Sequence, residues 1–319
     1  MNISVLGCGR WGSFHSWYAN HIGHVVTLWG RESSANLKRL KKTRQNDYLT
    51  LPPEVTLTSD LARAVKTADM CVISIKAQEF RSLARQLNSY KAIRKKPLLL
   101  CMKGLEIGTG QTLTAVGREE LGSDVPLAVW VGPGHVQDFI RGLPNCMVIA
   151  SDNIELTRLL VKQLTSPLIR FYYGRDLLGT EIGAAAKNVM GIAAGMLDGL
   201  GYGSLKGALM ARGTSELSRL IEAMGGCKMT VYGLSHLGDY EATLFSAYSN
   251  NRRFGENFIT HAPFSKLAEG VYTAEALIAL SRKYGVELPI SRTVYDITHD
   301  HKDPRKCLET LFLRSVKDE

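Results

Sequence analysis

The cysteines of the chain form no pattern that would mark a disulfide framework or a metal site. The 319 residues include six cysteines, with no Cys-x-x-Cys pair and no Cys/His cluster at the spacing of metal ligands. Such scattered cysteines are typical of reduced thiols in a cytosolic protein. We therefore expect no metal and a cytoplasmic location.

We also expect no secretory signal and no membrane-spanning segment. Met1–Leu6 does not have the basic segment and long apolar core of a signal peptide. The stretch 183–200 comes nearest to a span, but Lys187, Asn188 and Asp198 lie inside it. This stretch predicts a buried helix of a soluble protein.

Several catalytic motifs are missing as well. The sequence has no G-x-S-x-G, no Walker lysine motif and no H-E-x-x-H, and His135 and His236 have no partner at a motif spacing. These absences argue against a serine hydrolase, a P-loop enzyme, a zinc peptidase and a His-based triad. The net charge of +9 suits anionic ligands, but no long basic run with interleaved aromatics occurs. We expect dinucleotides or phosphorylated metabolites as partners, and no nucleic acid.

Two kinds of pattern are present instead, one in each half of the chain. The content of 45% hydrophobic and 22% charged residues is that of a globular protein, and the length suits two domains. The first half contains continuous apolar runs, which are typical of strands buried on both faces of a parallel sheet. Strands are predicted at Ile3–Leu6, Val25–Trp29, Met70–Ile75, Leu98–Cys101, Leu127–Val131, Met147–Ala150 and Ile169–Tyr172. Helices are predicted between them at Trp11–Ile22, Ser33–Thr43, Leu61–Thr67, Gln78–Leu87, Gln111–Leu121 and Asn153–Leu164.

This alternation predicts a doubly wound α/β domain with a parallel sheet over residues 1–175. After Tyr173 the strand signal stops, and an all-α domain is predicted for residues 176–319, with the substrate and catalytic groups in it. Its main helices are predicted at Gly183–Leu200, Leu205–Ala223, Tyr240–Ala247 and Thr273–Tyr284.

A glycine pattern follows the first predicted strand. Gly7, Gly9 and Gly12 have the spacing G-x-G-x-x-G, which allows a tight turn, a close approach of backbone to a pyrophosphate, and contact between helix and strand. The position directly after an apolar run favours a dinucleotide site of the Rossmann-like type over an ordinary glycine turn.

The second predicted strand ends near two residues that bear on cofactor choice. An acidic side chain there holds the ribose hydroxyls of NAD, whereas an arginine accommodates the extra phosphate of NADP. Arg31 precedes Glu32, so NADPH is favoured and NADH is tolerated. The alternative is that Arg31 is a solvated loop cation.

A single cation lies in the most apolar helix. Lys187 is surrounded by Ala184, Ala185, Ala186 and Val189, and such burial lowers the pKa of an ammonium toward the range useful for proton transfer. The alternative is a lysine whose stem lies along the helix and whose charge reaches water.

Polar loops supply the remaining candidates. Lys103 and the loop 132–135 follow predicted strands, at the sheet edge where ligands of α/β proteins bind, although each alone is also compatible with a plain loop. If Asp239 approaches Lys187, it would keep the ammonium charged and directed, and the polar loop Ser249–Gly255 would offer donors for a phosphate. A surface carboxylate and a solvated basic loop are the alternatives.

In order along the chain, these stretches resemble the bacterial-type NAD(P)-dependent glycerol-3-phosphate dehydrogenases. The likeness runs nearly end to end. It is carried by segments 5–12, 28–31, 103–106, 132–133, 141–144, 181–195, 198–201, 212–213, 238–239, 251–255 and 286–290. The lysine helix and the Asn-Arg-Arg-Phe-Gly segment are specific to that family. The resemblance implies reversible reduction of dihydroxyacetone phosphate to sn-glycerol 3-phosphate with NADPH or NADH, for phospholipid synthesis.

The resemblance also implies roles for individual residues. Lys187 is the implied proton donor and acceptor, with Asp239 as the second catalytic residue. Implied substrate contacts are Lys103, Gly132, Gly134, Asn188, Thr243, Ser249, Asn251 and Arg252. Implied cofactor contacts are Gly7, Gly9, Arg10, Trp11, Gly12, Arg31, Lys103, Val136, Asn250 and Glu269. Assembly as a homodimer is left open.

The chain departs from the family pattern beside the lysine. Asn250 stands where the family has an arginine that bridges substrate and cofactor, Gly134 and His135 replace Ser-Phe, and His236 replaces a glycine. The segment between the Asn-Arg-Arg-Phe-Gly motif and Glu269 is also several residues short. Because a guanidinium binds phosphate strongly, we expect weaker substrate binding unless Arg252, Arg253 or Lys76 substitutes. Two alternatives follow: a reductase of another short phosphorylated or carboxylated ketone, and a catalytically impaired cofactor-binding homologue.

Overall fold

The computed structural model describes residues 1–312, which divide into two compact units. Unit 1 comprises Met1–Met102 and Leu113–Leu177, and unit 2 comprises Lys103–Thr112 and the chain from Leu178 onward. The short segment Lys103–Thr112 interrupts unit 1 in sequence and brings Lys103 into the helical unit.

Unit 1 is built on one sheet of eight strands. They are β1 (Asn2–Leu6), β2 (Val25–Trp29), β3 (Thr56–Thr58), β4 (Met70–Ile73), β5 (Leu98–Leu100), β6 (Leu127–Val131), β7 (Asn145–Ala150) and β8 (Ile169–Gly174). Their order is β3-β2-β1-β4-β5-β6-β7-β8, and every neighbouring pair is parallel except β6 with β7. The predicted doubly wound parallel sheet is confirmed, except that β7 pairs with β6 in the antiparallel direction. β3 was not predicted because its three residues, Thr-Leu-Thr, are too few and too polar to form an apolar run.

Unit 1 has seven described α-helices, and three of them begin at a side-chain cap. They are α1 (Arg10–His21), α2 (Ala35–Thr43), α3 (Leu61–Thr67), α4 (Phe80–Asn88), α5 (Leu113–Leu121), α6 (Val136–Ile140) and α7 (Ile154–Leu164). The side chains of Ser34, Asp60 and Asn153 accept backbone N–H bonds in the first turns of α2, α3 and α7. Such caps satisfy donors that a helix leaves open at its N-terminus.

Unit 2 is helical, as predicted. Its helices are α8 (Leu177–Gly199), α9 (Lys206–Ala223), α10 (Asn250–Thr260), α11 (Glu269–Tyr284), α12 (Pro289–Thr298) and α13 (Pro304–Phe312). Most side chains of α8 are buried, since the other helices pack around it. Two of its contacts need glycine: a Cβ on Gly195 would lie 1.8 Å from the backbone oxygen of Arg252, and one on Gly255 of α10 would lie 2.1 Å from that of Ile192. The backbones of α8 and α10 therefore touch.

Two local predictions in unit 2 were wrong. The segment Ser249–Gly255, predicted as a loop, is the cap and first turns of α10, because Ser249 accepts a bond from the backbone N–H of Arg252 and Gly255 packs on α8. The predicted helix Tyr240–Ala247 is instead a five-residue π-helical turn, Glu241–Phe245, after the 3₁₀ turn Leu237–Asp239.

Within residues 1–312, no helix combines the length and the apolar character that crossing a membrane requires.

Candidate active site

The ammonium of Lys187 is held inside unit 2 by two polar partners. Lys187 lies in the middle of α8 and is 7% exposed. Its Nζ lies 2.7 Å from Oδ2 of Asp239 and donates a 2.7 Å hydrogen bond to Oγ1 of Thr243. The predicted burial is confirmed, and the lysine does not reach water as a snorkelling side chain would.

A second lysine shares the same carboxylate. Nζ of Lys103 lies 2.8 Å from Oδ2 of Asp239, and that carboxylate is 1% exposed. Two cations therefore face one anion, so the cluster carries a net positive charge in a site with little water. Such a site favours an anionic ligand.

These contacts set the acidity of Lys187. Burial lowers the pKa of Lys187 to about 8, the charge of Asp239 opposes this shift, and the charge of Lys103 adds to it. An ammonium with a pKa near 8 has both protonation states available close to neutral pH, which suits a group that gives and takes a proton.

Two short turns present the partners of Lys187. Asp239 ends the 3₁₀ turn Leu237–Asp239, and Thr243 lies in the π-helical turn that follows. Gly191 makes room for this turn on α8, because a Cβ there would lie 2.9 Å from Cγ2 of Thr243. π-Helical turns are frequent at functional sites.

A chain of amide hydrogen bonds surrounds the lysines. Asn188 donates to the backbone oxygen of Lys103 at 2.8 Å, Asn251 donates to Oδ1 of Asn188 at 3.0 Å, and the backbone N–H of Gly270 donates to Asn251 at 2.9 Å. These bonds join α8, Lys103 and the first turns of α10 and α11. Glu269 is the first residue of α11 and directly precedes Gly270, the last member of this series of hydrogen bonds.

The glycine loop of unit 1 has the geometry of a pyrophosphate site. Gly7 has φ +118°, and a Cβ on it would lie 2.2 Å from the backbone oxygen of Ser74, while one on Gly12 would lie 1.7 Å from that of Gly7. Gly9, by contrast, has nothing within 4 Å of its Cβ position, and α1 begins at the next residue without a side-chain cap. An open backbone at a helix N-terminus fits an anionic diphosphate.

Other predicted cofactor residues lie near the carboxyl ends of the same parallel strands. Arg10 donates a 2.7 Å bond to Gln137, and Trp11 stacks on His15 with ring centroids 5.7 Å apart. Arg31 follows β2, is largely exposed and pairs with Glu79 at 3.0 Å. Gly132 and Gly134, which were predicted as substrate contacts, follow β6 with φ of +134° and +128°, and the predicted cofactor contact Val136 is the buried first residue of α6.

The matches to known proteins cover both units. The family model described as NAD-dependent glycerol-3-phosphate dehydrogenase N-terminus matches residues 2–157, and the model of the C-terminus of the same enzyme matches residues 176–309. The chain belongs to the NAD-dependent glycerol-3-phosphate dehydrogenase family.

Individual glycerol-3-phosphate dehydrogenases resemble the chain over its whole length. A curated relative from Bradyrhizobium diazoefficiens, named glycerol-3-phosphate dehydrogenase [NAD(P)+], is 38% identical over 100% of this chain and 98% of its own. One of the same name from Aromatoleum aromaticum is 35% identical over 100% of both chains. A crystal structure of glycerol-3-phosphate dehydrogenase from Coxiella burnetii matches with a TM-score of 0.91 at 28% identity, over 98% of this chain and 99% of that one.

In this member of the glycerol-3-phosphate dehydrogenase family, Arg252, two residues after Asn250, already pairs with carboxylates. Arg252 lies 2.9 Å from Asp198 and 3.0 Å from Glu256, and Lys206 also contacts Asp198 at 2.7 Å. Arg253, in contrast, is exposed. Replacement of the family arginine by Arg252, which the sequence left open, would therefore require that Arg252 leave two carboxylates.

The structure also gives His236 a partner that the sequence analysis did not assign. Its ring contacts the side chain of Tyr240, four residues later, and the backbone oxygen of Gly183 on α8. The spacing of four residues between His236 and Tyr240 was the only sign of this contact in the sequence. Among the described residues, no group of three or more His, Cys, Asp and Glu side chains is arranged to hold a metal ion.

Proposed function

We propose that the chain catalyses the reversible, NAD(P)H-dependent reduction of dihydroxyacetone phosphate to sn-glycerol 3-phosphate, the precursor of glycerophospholipids. The observation that carries the proposal is the buried Lys187, paired with Asp239 and Thr243, in a chain of this family. The net positive charge of the cluster suits a phosphorylated substrate.

The residues of the site divide the chemistry among them. When bound, the reduced nicotinamide supplies hydride to the carbonyl carbon. Lys187 gives a proton from Nζ to the carbonyl oxygen, so that ketone becomes alcohol and the lysine becomes neutral. Asp239 keeps the ammonium charged and directed until then, and the Thr243 hydroxyl fixes its direction. In the reverse reaction neutral Lys187 takes the proton back.

For the substrate phosphate, we propose the ammonium of Lys103 and the first turn of α10. Ser249, Asn250 and Asn251 lie there, and the backbone N–H groups of a helix N-terminus attract anions. Gly132, Gly134 and Asn188 remain proposed substrate contacts. Because Asn250 brings no positive charge, we expect Asn250→Arg to lower the KM for dihydroxyacetone phosphate about tenfold.

For the cofactor, we propose that the pyrophosphate binds at Gly7–Gly12 and the 2′-phosphate of NADPH at Arg31. Gly9 and the uncapped start of α1 support the first assignment. Exposure of Arg31 at the end of β2 supports the second. Arg10, Trp11, Val136, Asn250 and Glu269 complete the proposed cofactor contacts.

The departure at Asn250 favours one second candidate: reduction of another short phosphorylated or carboxylated ketone. A steady-state assay decides between the two. We expect NADPH oxidation with dihydroxyacetone phosphate to exceed that with other short phosphorylated ketones and with 2-oxo acids, and the product to be sn-glycerol 3-phosphate by chiral analysis. Negligible turnover of dihydroxyacetone phosphate together with turnover of another ketone would favour the second candidate. No turnover of any ketone despite NADPH binding would favour the impaired homologue.

We further propose that the enzyme acts in the cytoplasm as a homodimer. The scattered free cysteines support the location. Light scattering of the purified protein tests the assembly, since a dimer has twice the mass of the 35.2 kDa chain.

A further inference from the structure

His236 and Tyr240 form a buried hydrogen-bonded pair behind the Lys187 cluster. Both residues are 0% exposed. Nδ1 of His236 lies 2.9 Å from the backbone oxygen of Gly183, and its Nε2 lies 2.6 Å from the hydroxyl of Tyr240. Both nitrogens of the imidazole therefore have one partner each.

The partners fix the direction of every hydrogen bond in the pair. A backbone oxygen only accepts, so Nδ1 of His236 carries the proton and donates to Gly183. Nε2 then has only a lone pair to offer, and the Tyr240 hydroxyl donates to it. Burial lowers the pKa of His236 to about 4, so the ring stays neutral at neutral pH.

The pair joins the two segments that carry the reacting groups. Gly183 lies one helical turn before Lys187 on α8, and Asp239 lies between His236 and Tyr240 in sequence. The backbone N–H of Asp239 also donates to the backbone oxygen of His236 at 3.0 Å. A shift of either ring would therefore move Asp239 relative to the helix of the lysine.

Two glycines make room for the pair. A Cβ on Gly183 would lie 3.2 Å from Cβ of His236, and a Cβ on Gly213 of α9 would lie 3.1 Å from the Tyr240 hydroxyl. The rings thus occupy a place where both helices present no side chain.

We propose that His236 and Tyr240 are positioning residues, which hold Asp239 at its 2.7 Å distance from Lys187 and thereby set the efficiency and the pH range of proton transfer. The proposal rests on the proposed role of Lys187. Neither ring is exposed to a ligand, so neither is a catalytic residue. The charged groups that act on His236 are Lys187 and Asp239, and Glu216 is the charged group that acts on Tyr240.

The test compares Tyr240→Phe, His236→Gln and the double variant with the parent. Tyr240→Phe keeps the ring and removes one donor, so it carries the test even if His236→Gln does not fold.

We expect kcat for dihydroxyacetone phosphate reduction to fall about tenfold, with KM for substrate and NADPH within about twofold, because positioning and not binding is lost. If Asp239 moves away from Lys187, its charge stabilises the ammonium less and the pKa of Lys187 falls. The alkaline limb of the profile of kcat against pH should therefore move to lower pH by about half a unit. The double variant should lose no more kcat than His236→Gln alone.

Ser281→Ala is the matched control, because it removes another hydrogen bond in unit 2, the 2.7 Å bond to the backbone oxygen of Val286. It should lower Tm without changing kcat or the pH profile. The positioning role is overturned if Tyr240→Phe and His236→Gln lower Tm but keep the parent kcat per folded enzyme and the parent alkaline limb. A Lys187→Met variant with parental turnover would instead overturn the proposed role of Lys187, so the two failures are distinguishable.

Discussion

At the scale of single residues, the acidity of Lys187 is a balance between burial and Asp239. Burial favours the neutral amine, while the carboxylate 2.7 Å away favours the ammonium. Burial is the larger effect, and the pKa falls to about 8. At neutral pH Lys187 therefore keeps its proton most of the time, as its proposed role as proton donor requires.

This balance predicts a pH dependence. Reduction needs protonated Lys187, so kcat should be constant below about pH 8 and decline above it, whereas oxidation needs the neutral amine and should rise through the same pH range. Stopped-flow measurement of both directions between pH 6 and 10 checks this. A reductive rate that stays constant to pH 10 would contradict the assignment.

Replacing the carboxylate of Asp239 should shift the decline of reductive kcat at high pH. In Asp239→Asn the two lysines face an uncharged amide, so the pKa of Lys187 should fall and kcat at pH 7.5 should drop about a hundredfold or more. The kcat profile against pH measures both effects. Glu222→Gln, which removes an exposed pair with Lys228, should change neither.

Arg31 should discriminate between the two cofactors. Its guanidinium is exposed and pairs with Glu79, so it can turn to a 2′-phosphate at little cost. We expect Arg31→Ala to raise KM for NADPH about tenfold and KM for NADH less than twofold. Steady-state assays with each cofactor test this, with Arg39→Ala, another exposed arginine paired with Asp47, as the control. Equal effects on the two cofactors would contradict the role.

At the scale of elements, the contact between α8 and α10 depends on glycine. Gly195→Ala would place a Cβ 1.8 Å from a backbone oxygen, so the helices would have to separate. We expect the free energy of unfolding to fall by about 2–4 kcal/mol in urea denaturation. Gly207→Ala on α9 is the matched control, because nothing lies within 4 Å of its Cβ position; it should be neutral or stabilising by up to about 1 kcal/mol. Equal stability of the two variants would contradict the packing argument.

The elements also show how far the sequence could predict the fold. The apolar runs of β1 and β6 predicted buried parallel strands because, apart from Asn2 at the start of β1, both faces of these strands are buried. The first turns of α10 were misread because Asn-Asn-Arg-Arg resembles a loop in composition. Their helical form depends on the Ser249 cap and on packing against α8, and the packing is a tertiary effect.

The candidate site, like the fold, could be predicted from the sequence only in part. The alanines around Lys187 predicted its burial, because the signal is local. The contact of Lys103 with Asp239 joins residues 136 positions apart, and the pair of His236 and Tyr240 depends on an oxygen of another helix. Spacing in the sequence carries no record of the contact of Lys103 with Asp239 or of His236 with the oxygen of Gly183.

At the scale of the whole molecule, the charge is unevenly divided. Unit 1 has 22 Lys and Arg against 13 Asp and Glu, which accounts for the entire net charge of +9, while the rest of the chain is balanced. The unit with the glycine loop therefore attracts anions, and the attraction is screened by salt. KM for NADPH should rise more steeply with KCl between about 50 and 300 mM than KM for NADH, because NADPH carries the extra phosphate. Parallel salt responses would contradict this.

The account as a whole depends on proton transfer by Lys187. The most direct measurement is single-turnover reduction of dihydroxyacetone phosphate by parent and Lys187→Met enzyme, with NADPH binding followed by fluorescence to show that the variant is folded. We predict that the variant binds NADPH as the parent does and reduces the ketone at least about a thousandfold more slowly. Reduction at the parental rate by a folded, NADPH-binding Lys187→Met enzyme would contradict the account.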